Sequence, residues 1–162
     1  MNKNELIQAL GLAPHPKEGG YFKRTYTSGS FVEHTAGQRP LMSSIYYLLT
    51  EDHPIGYLHK NTSDIVHCYH LGSPIRYLII SAEGNLTERI LGPDVLNGHS
   101  PQLLVRGGEW KAAQLCGGEY GLISEAVSPG FDYADNTLAS LSEMRGLFPA
   151  LSGQVEAFIK KA

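Results

Sequence analysis

Between Tyr21 and Val127 a turn signal interrupts the chain about every 8–12 residues, and this rhythm leaves room for little besides short strands. The signals are Gly72-Ser-Pro74, Glu83-Gly-Asn85, Gly92-Pro-Asp94, Asn97-Gly98, Gly107-Gly108 and Gly117-Gly118. Glycine supplies the positive φ that tight turns need, and proline fixes the entry of the turn. The segments between them are rich in β-branched and aromatic residues: Tyr21 to Thr27, Met42 to Leu49, Ile55 to His59, Asp64 to Leu71, Ile75 to Ile80, Leu86 to Leu91, Gln102 to Arg106, Trp110 to Leu115 and Leu122 to Val127. Many short strands in series predict a β-sandwich or barrel.

The ends read differently. Asn4 to Gly11 predicts a short helix, with Asn2 or Asn4 as cap, Leu6, Ile7 and Leu10 as its apolar stripe, and Gly11 as its stop. Pro14 and Pro16 then favour extended chain. From Thr137 to Ala162 helical spacing returns, as Leu138, Leu141 and Met144, then Val155, Phe158 and Ile159. With 162 residues, no repeat and no linker, one domain is expected over 1–162.

Charge narrows the partners. Formal net charge is -3, with no run of five like charges, so a nucleic-acid partner is not expected. No apolar run approaches the roughly 18 residues of a membrane span, and Met1 to Ala13 lacks a signal-peptide core. Cys68 and Cys116 lie far apart in apolar stretches and read as reduced, packed thiols. A cytoplasmic protein without membrane contact is expected.

The chemistry concentrates in Gly56 to Gly72, which holds three of the seven histidines. If the segment is extended, alternate residues share a face. Tyr57, His59 and Asn61 form one file, and Ile65, His67 and Tyr69 form a second. His70, three residues from His67, points to the opposite face. Each of these residues also has a plainer reading. His67 could be a hydrogen-bonded core histidine, Asp64 and Asp132 turn residues, Trp110 a core or interface aromatic, and Gly107-Gly108 a tight turn. His15, His34, His53 and His99 sit in loop-like contexts and read as solvated.

Four stretches together resemble a small cupin family long described as a domain of unknown function. They are Leu12-Ala-Pro-His-Pro-Lys-Glu-Gly-Gly-Tyr-Phe22; Ser44-Ile-Tyr-Tyr-Leu-Leu49 with His59, Ser63-Asp64, His67 and Gly72; Leu91-Gly92, Gly98, Pro101-Gln102 and Gly108-Glu-Trp-Lys-Ala-Ala113; and Val127-Ser-Pro-Gly-Phe-Asp132. The resemblance implies a mainly β fold, a double-stranded β-helix or cupin jelly-roll barrel, with a short N-terminal helix and C-terminal helices. It also implies a homodimer with a small-molecule ligand in the barrel. Lys17, Ile65, Arg106 and Lys111 depart from the family pattern.

Many cupins hold a divalent metal with His-x-His, a following Glu and a later His. At the matching positions this chain has His59, Asn61, Ile65 and Lys111, so neither a metal nor another cofactor is expected. By analogy with metal-free sugar-nucleotide epimerases of this fold, His59 would be the base, His67 or Tyr69 the acid, and Asp64 or Asp132 the orienting carboxylate. Tyr47, Tyr57, Asn61, Gln102, Trp110 and Lys111 are candidate ligand-binding residues. The resulting expectation is a metal-independent epimerase or isomerase of a carbohydrate-like, sugar-nucleotide ligand. The alternatives are a non-catalytic binding cupin and a metal-dependent oxygenase or isomerase.

Overall fold

The structure, a computed structural model, describes residues 1–161. Its elements run α1 (Lys3–Leu10), β1 (Ala13–Pro14), β2 (Tyr21–Thr27), β3 (Phe31–His34), β4 (Gly37–Pro40), β5 (Ser43–Thr50), β6 (Ile55–Asn61), β7 (Asp64–Gly72), β8 (Ile75–Ile80), β9 (Leu86–Leu91), β10 (Gln102–Val105), β11 (Trp110–Leu115), β12 (Tyr120–Ser128), β13 (Asn136–Leu138), α2 (Leu141–Leu147) and α3 (Ser152–Val155). Short 3-10 turns follow β9, precede β13 and extend α3. No described helix is long and apolar enough to cross a membrane.

Two antiparallel sheets face each other. The larger has the order β1-β2-β5-β12-β7-β10, and the smaller β13-β6-β11-β8-β9. They do not close into a continuous barrel. Among the described residues, β9 and the approach to β10 are joined by one isolated bridge, Leu91 with Ser100, because the loop and 3-10 turn at Val95–Asn97 carry the chain across that edge.

Alternation along the strands divides the apolar residues among three layers. Between the sheets lie Tyr47, Leu49, Tyr77, Ile79, Val105 and Ile123. The other face of the smaller sheet turns Leu58, Leu78, Ile80 and Trp110 towards Met144, Val155 and Phe158 of the C-terminal segment. The other face of the larger sheet turns Leu48 and Leu122 towards Leu6 and Leu12. Ile45 to Leu49 of β5 and Tyr77 to Ile80 of β8 therefore read as apolar runs, since both faces of these stretches are covered. Each buried Leu, Ile or Phe contributes roughly 1.5–3 kcal/mol.

The N-terminal helix matches the sequence reading. Asn2 caps it in a capping box with Glu5, and Gly11 ends it at φ 62°. Two expectations need correction. The helical tail begins later than its spacing suggested, because Asn136 to Leu138 extend the smaller sheet along β6, with Leu138 paired to His59. The free edge of β6 provides backbone partners that outweigh local helical spacing. Both cysteines are free, but Cys116 lies exposed at a turn instead of packed.

Candidate functional site

The inward file of β6 holds as read from the sequence. His59 and Asn61 are buried on the inner face, while Leu58 and Lys60 point outward, Lys60 over the Trp110 ring. Register then assembles two cross-strand pairs. His59 lies opposite Lys111 in the smaller sheet, and His67 lies opposite Glu125 in the larger. Directly opposed residues carry Cβ atoms about 5 Å apart. The pairs meet between the sheets. Lys111 Nζ is 2.7 Å from His67 Nε2 and 3.3 Å from both Glu125 oxygens, and His67 Nε2 is 3.3 Å from Glu125 Oε1.

A strap from Pro14 to Gly20 supplies the other half of the site. Gly19 and Gly20 adopt φ 83° and 68°, where a Cβ would strike the Ile55 and Leu48 carbonyls, so only glycine lets the strap lie this close. Tyr47 donates its hydroxyl to Gly19 O at 2.9 Å, and Glu18 O accepts the Tyr57 N–H. The strap thereby brings the buried Glu18 inside. Glu18 Oε2 lies 3.5 Å from His59 Nε2 and 3.7 Å from His15 Nε2, and Oε1 accepts from Asn136 Nδ2 at 2.8 Å. Asn136 also donates to Asn61 at 3.1 Å.

Hydrogen bonds set the tautomers. His59 Nδ1 lies 2.6 Å from Tyr57 O, so Nδ1 carries the proton and Nε2 keeps a lone pair. His15 Nδ1 accepts from the Glu18 N–H at 2.9 Å, so its proton is on Nε2, facing Glu18. Glu18 is thus a carboxyl group between an N–H and a lone pair. Four buried side-chain polar atoms lack a hydrogen-bond partner among the described residues: His67 Nδ1, Asn136 Oδ1, His59 Nε2 and Tyr77 Oη. Of these residues, His59 and Tyr77 line one internal cavity together with Glu18, Tyr47, Lys111 and Glu125. An adjoining cleft leads outward past Arg24, Phe131 and Tyr133. The bidentate Arg39–Asp135 pair, at 2.6 and 2.9 Å, fixes the turn that carries Tyr133.

Burial and the nearby ammonium push His59 down to about 4, so its imidazole is neutral at pH 7. Burial, then Lys111, lowers His67 as well, and burial lowers His15. Burial raises Glu18 and holds the Tyr77 phenol well above its usual range, so Tyr77 remains a donor. Burial also works against ionising Glu125, but Lys111 and His67 outweigh it and keep Glu125 well below the usual carboxylate range.

These shifts predict acid sensitivity. An unfolded histidine takes up its proton near 6.5, whereas His59 in the fold resists until about 4. Between those values the unfolded chain binds more protons, so stability falls as pH drops through that window. His59 alone contributes up to about 3 kcal/mol of this loss. His15 and His67 act in the same direction, and Glu18, held high, opposes them as pH rises past the ordinary carboxylate range. Urea midpoints at pH 7 and pH 5 are expected to differ, with the lower midpoint at pH 5. Equal midpoints would show that these imidazoles are not buried neutral.

Of the residues singled out from the sequence, His59, His67, Tyr47, Asn61 and Lys111 are buried at this centre, with Tyr57 half-buried beside the strap. The others lie elsewhere. Tyr69 donates its hydroxyl to Gly72 O at the far end of β7, Asp64 accepts the Gly107 N–H, and Asp132 accepts the Ala134 N–H as a turn cap. Gln102 is exposed beside Cys68, and Trp110 packs on the opposite face of its sheet under the C-terminal segment. The carboxylates at this centre are Glu18 and Glu125, whereas Asp64 and Asp132 are held by backbone N–H groups of loops. His15, expected at the surface, has a side chain only 4% exposed.

The family model described as "Cupin superfamily (DUF985)" matches residues 4–139. The chain belongs to that cupin family. This cupin is 39% identical over 151 residues to the uncharacterized protein YML079W of Saccharomyces cerevisiae, covering 82% of this chain and 73% of the yeast protein. A hypothetical protein from Leishmania major superimposes with TM-score 0.93 at 27% identity, covering 99% and 100% of the two chains. Protein SO0799 from Shewanella oneidensis gives 0.91 at 30%, covering 100% and 99%. A dTDP sugar isomerase from Desulfovibrio desulfuricans gives 0.53 at 10%, covering 74% and 83%, a likeness of fold alone. The fold is thus the jelly roll that the resemblance implied.

The metal shell of other cupins does not fit these residues. Asn61, Ile65 and Lys111 stand at three of its four positions, and a buried ammonium fills the space between His67 and Glu125. A divalent ion there would lie against a fixed positive charge.

Proposed function

We propose that this cupin is a metal-independent isomerase or epimerase of a small carbonyl-bearing, carbohydrate-like molecule. The reading is carried by the unpartnered His59 Nε2 and Tyr77 Oη, which face one cavity on either side of the Lys111 strand. β6 and β8 flank β11, which puts the two groups about two strand spacings, roughly 10 Å, apart at the backbone. The space left between their side chains is narrow, so the reacting carbon of the ligand enters it from the adjoining cleft.

His59 Nε2 takes the proton from the carbon beside the carbonyl, and the electron pair of that C–H bond moves onto the carbonyl oxygen. The resulting enolate lies against Lys111 Nζ, and Tyr77 or the imidazolium returns a proton to carbon. The enolate charge offsets the ammonium that depresses His59, so the imidazole gains basicity as the reaction proceeds. Where Tyr77 returns the proton to carbon, the one taken up by His59 must reach the Tyr77 oxygen before the next turnover, and Glu18, 3.5 Å from His59 Nε2, holds it in the interval, so no net proton is gained or lost. At the mouth, Arg24 lies over the Phe131 ring at 5.7 Å and Lys17 over Tyr133 at 4.8 Å. Two cations beside two aromatic rings suit a phosphate and a flat base, which favours a sugar nucleotide. The reading includes a homodimer through β2, whose edge beyond Phe22 has no partner strand among the described residues and exposes Tyr26. Light scattering checks that point.

The test is incubation with a panel of keto-sugar nucleotides in deuterium oxide. Incorporation of deuterium at the carbon beside the carbonyl is expected for at least one member. A ligand bound in the cavity without exchange would favour the second reading, a binding cupin, and that reading draws on the narrowness of the space left around Lys111.

A further inference from the structure

We infer that Lys111 is a built-in replacement for a metal ion: its ammonium occupies the centre of an imidazole and carboxylate shell and supplies the fixed positive charge that holds an anionic oxygen of the ligand. His67 Nε2 at 2.7 Å and both Glu125 oxygens at 3.3 Å converge on Nζ, and His59 faces Lys111 from the adjacent strand. Imidazole nitrogens with one carboxylate form the donor set that zinc and nickel select. An ammonium carries three N–H donors. His67 and Glu125 engage two, which leaves the third for the cavity that Lys111 lines with His59 and Tyr77. The Lys111 side chain is only 4% exposed, so the cation is held in place and poorly screened.

Two consequences follow for ligand and metal. The ligand class is a small molecule that presents a carboxylate or enolate oxygen to Nζ, with no metal needed to bind it. Among the described residues no three imidazole, thiol or carboxylate donors already stand together to hold a metal, so removing the ammonium should leave His67 and Glu125 as two vacant donors, with His59 on the adjacent strand able to close in as the third. The use of the cation in catalysis rests on the proposed isomerase reading, but the charge replacement is read by metal binding with no substrate present. The two ideas therefore fail separately.

The experiment compares tag-free wild type with Lys111→Ala and Lys111→Gln. Each is incubated with Zn²⁺ or Ni²⁺, dialysed and assayed for metal per chain, with circular dichroism to confirm the fold. Wild type is expected to retain almost none, and a folded variant about one ion per chain. Adding His67→Ala to Lys111→Ala should abolish that retention. A folded variant that retains no ion, or retention unaffected by His67→Ala, overturns the inference. Should neither variant fold, wild type still decides. Zn²⁺ is then expected to leave the His59 and His67 ring resonances unmoved in NMR spectra, and a shift of either overturns the inference.

Discussion

Glu125→Gln is expected to destabilise the protein by about 3–5 kcal/mol, the usual result of stripping one partner from a buried ion pair. Glu125 and Lys111 are 7% and 3% exposed, so neither is rescued by water when the other is lost. The change keeps the shape of the side chain but leaves the ammonium beside a neutral amide, while His67 loses the carboxylate 3.3 Å from its Nε2. The melting temperature should fall by about 10 °C for a chain of this length. The double variant Lys111→Met with Glu125→Gln should regain much of the loss, since no uncompensated charge remains inside. A cycle of the two single variants and the double one, followed by urea unfolding, measures the coupling. A Glu125→Gln protein within about 0.5 kcal/mol of wild type would mean that the pair is not the electrostatic centre of the core.

The second large effect concerns His59. His59→Gln is expected to slow deuterium exchange into a substrate by about 10²–10⁴-fold, the range that a positioned general base supplies. Glutamine can still donate to Tyr57 O, so the strand and the fold should persist, and ligand affinity should change little. The wild-type rate should rise with pH as His59 sheds its proton, and that dependence centres at about 4 in the free protein. Above that value the imidazole is already neutral and the rate levels off. The variant should lose the acidic limb along with the rate. Exchange at the wild-type rate in His59→Gln would remove His59 from the chemistry, leaving Glu18 as the cavity group able to take a proton.

Much of the fold could be read locally. The turn glycines and prolines separated the strands, and the period-2 rule put His59 and Asn61 on one face of β6 with Leu58 and Lys60 on the other. The same rule applied to β12 would have revealed Glu125, an acid flanked at two-residue spacing by the buried Ile123 and Val127. Tyr77 was open to the same argument, lying between Ile75 and Ile79 on β8. His15 and Glu18 gave no such signal. They sit in a proline- and glycine-rich stretch, and such stretches usually run over the surface. Asp64 misled because an acidic residue near a histidine in sequence resembles a catalytic partner, and Asp132 because it closes the stretch Val127 to Asp132 that carries the family resemblance, although both bond to loop backbone.

The amino-acid order alone determined the strand class, the capped N-terminal helix and which side chains turn inward, because alternation and turn chemistry act over a few neighbouring residues. Only the tertiary structure decided which inward groups meet. Strand register set His59 against Lys111 and His67 against Glu125, and two left-handed glycines laid the strap that carries Glu18 inside. Those choices depend on burying residues far apart in the chain against one another, and no short window of sequence contains that information.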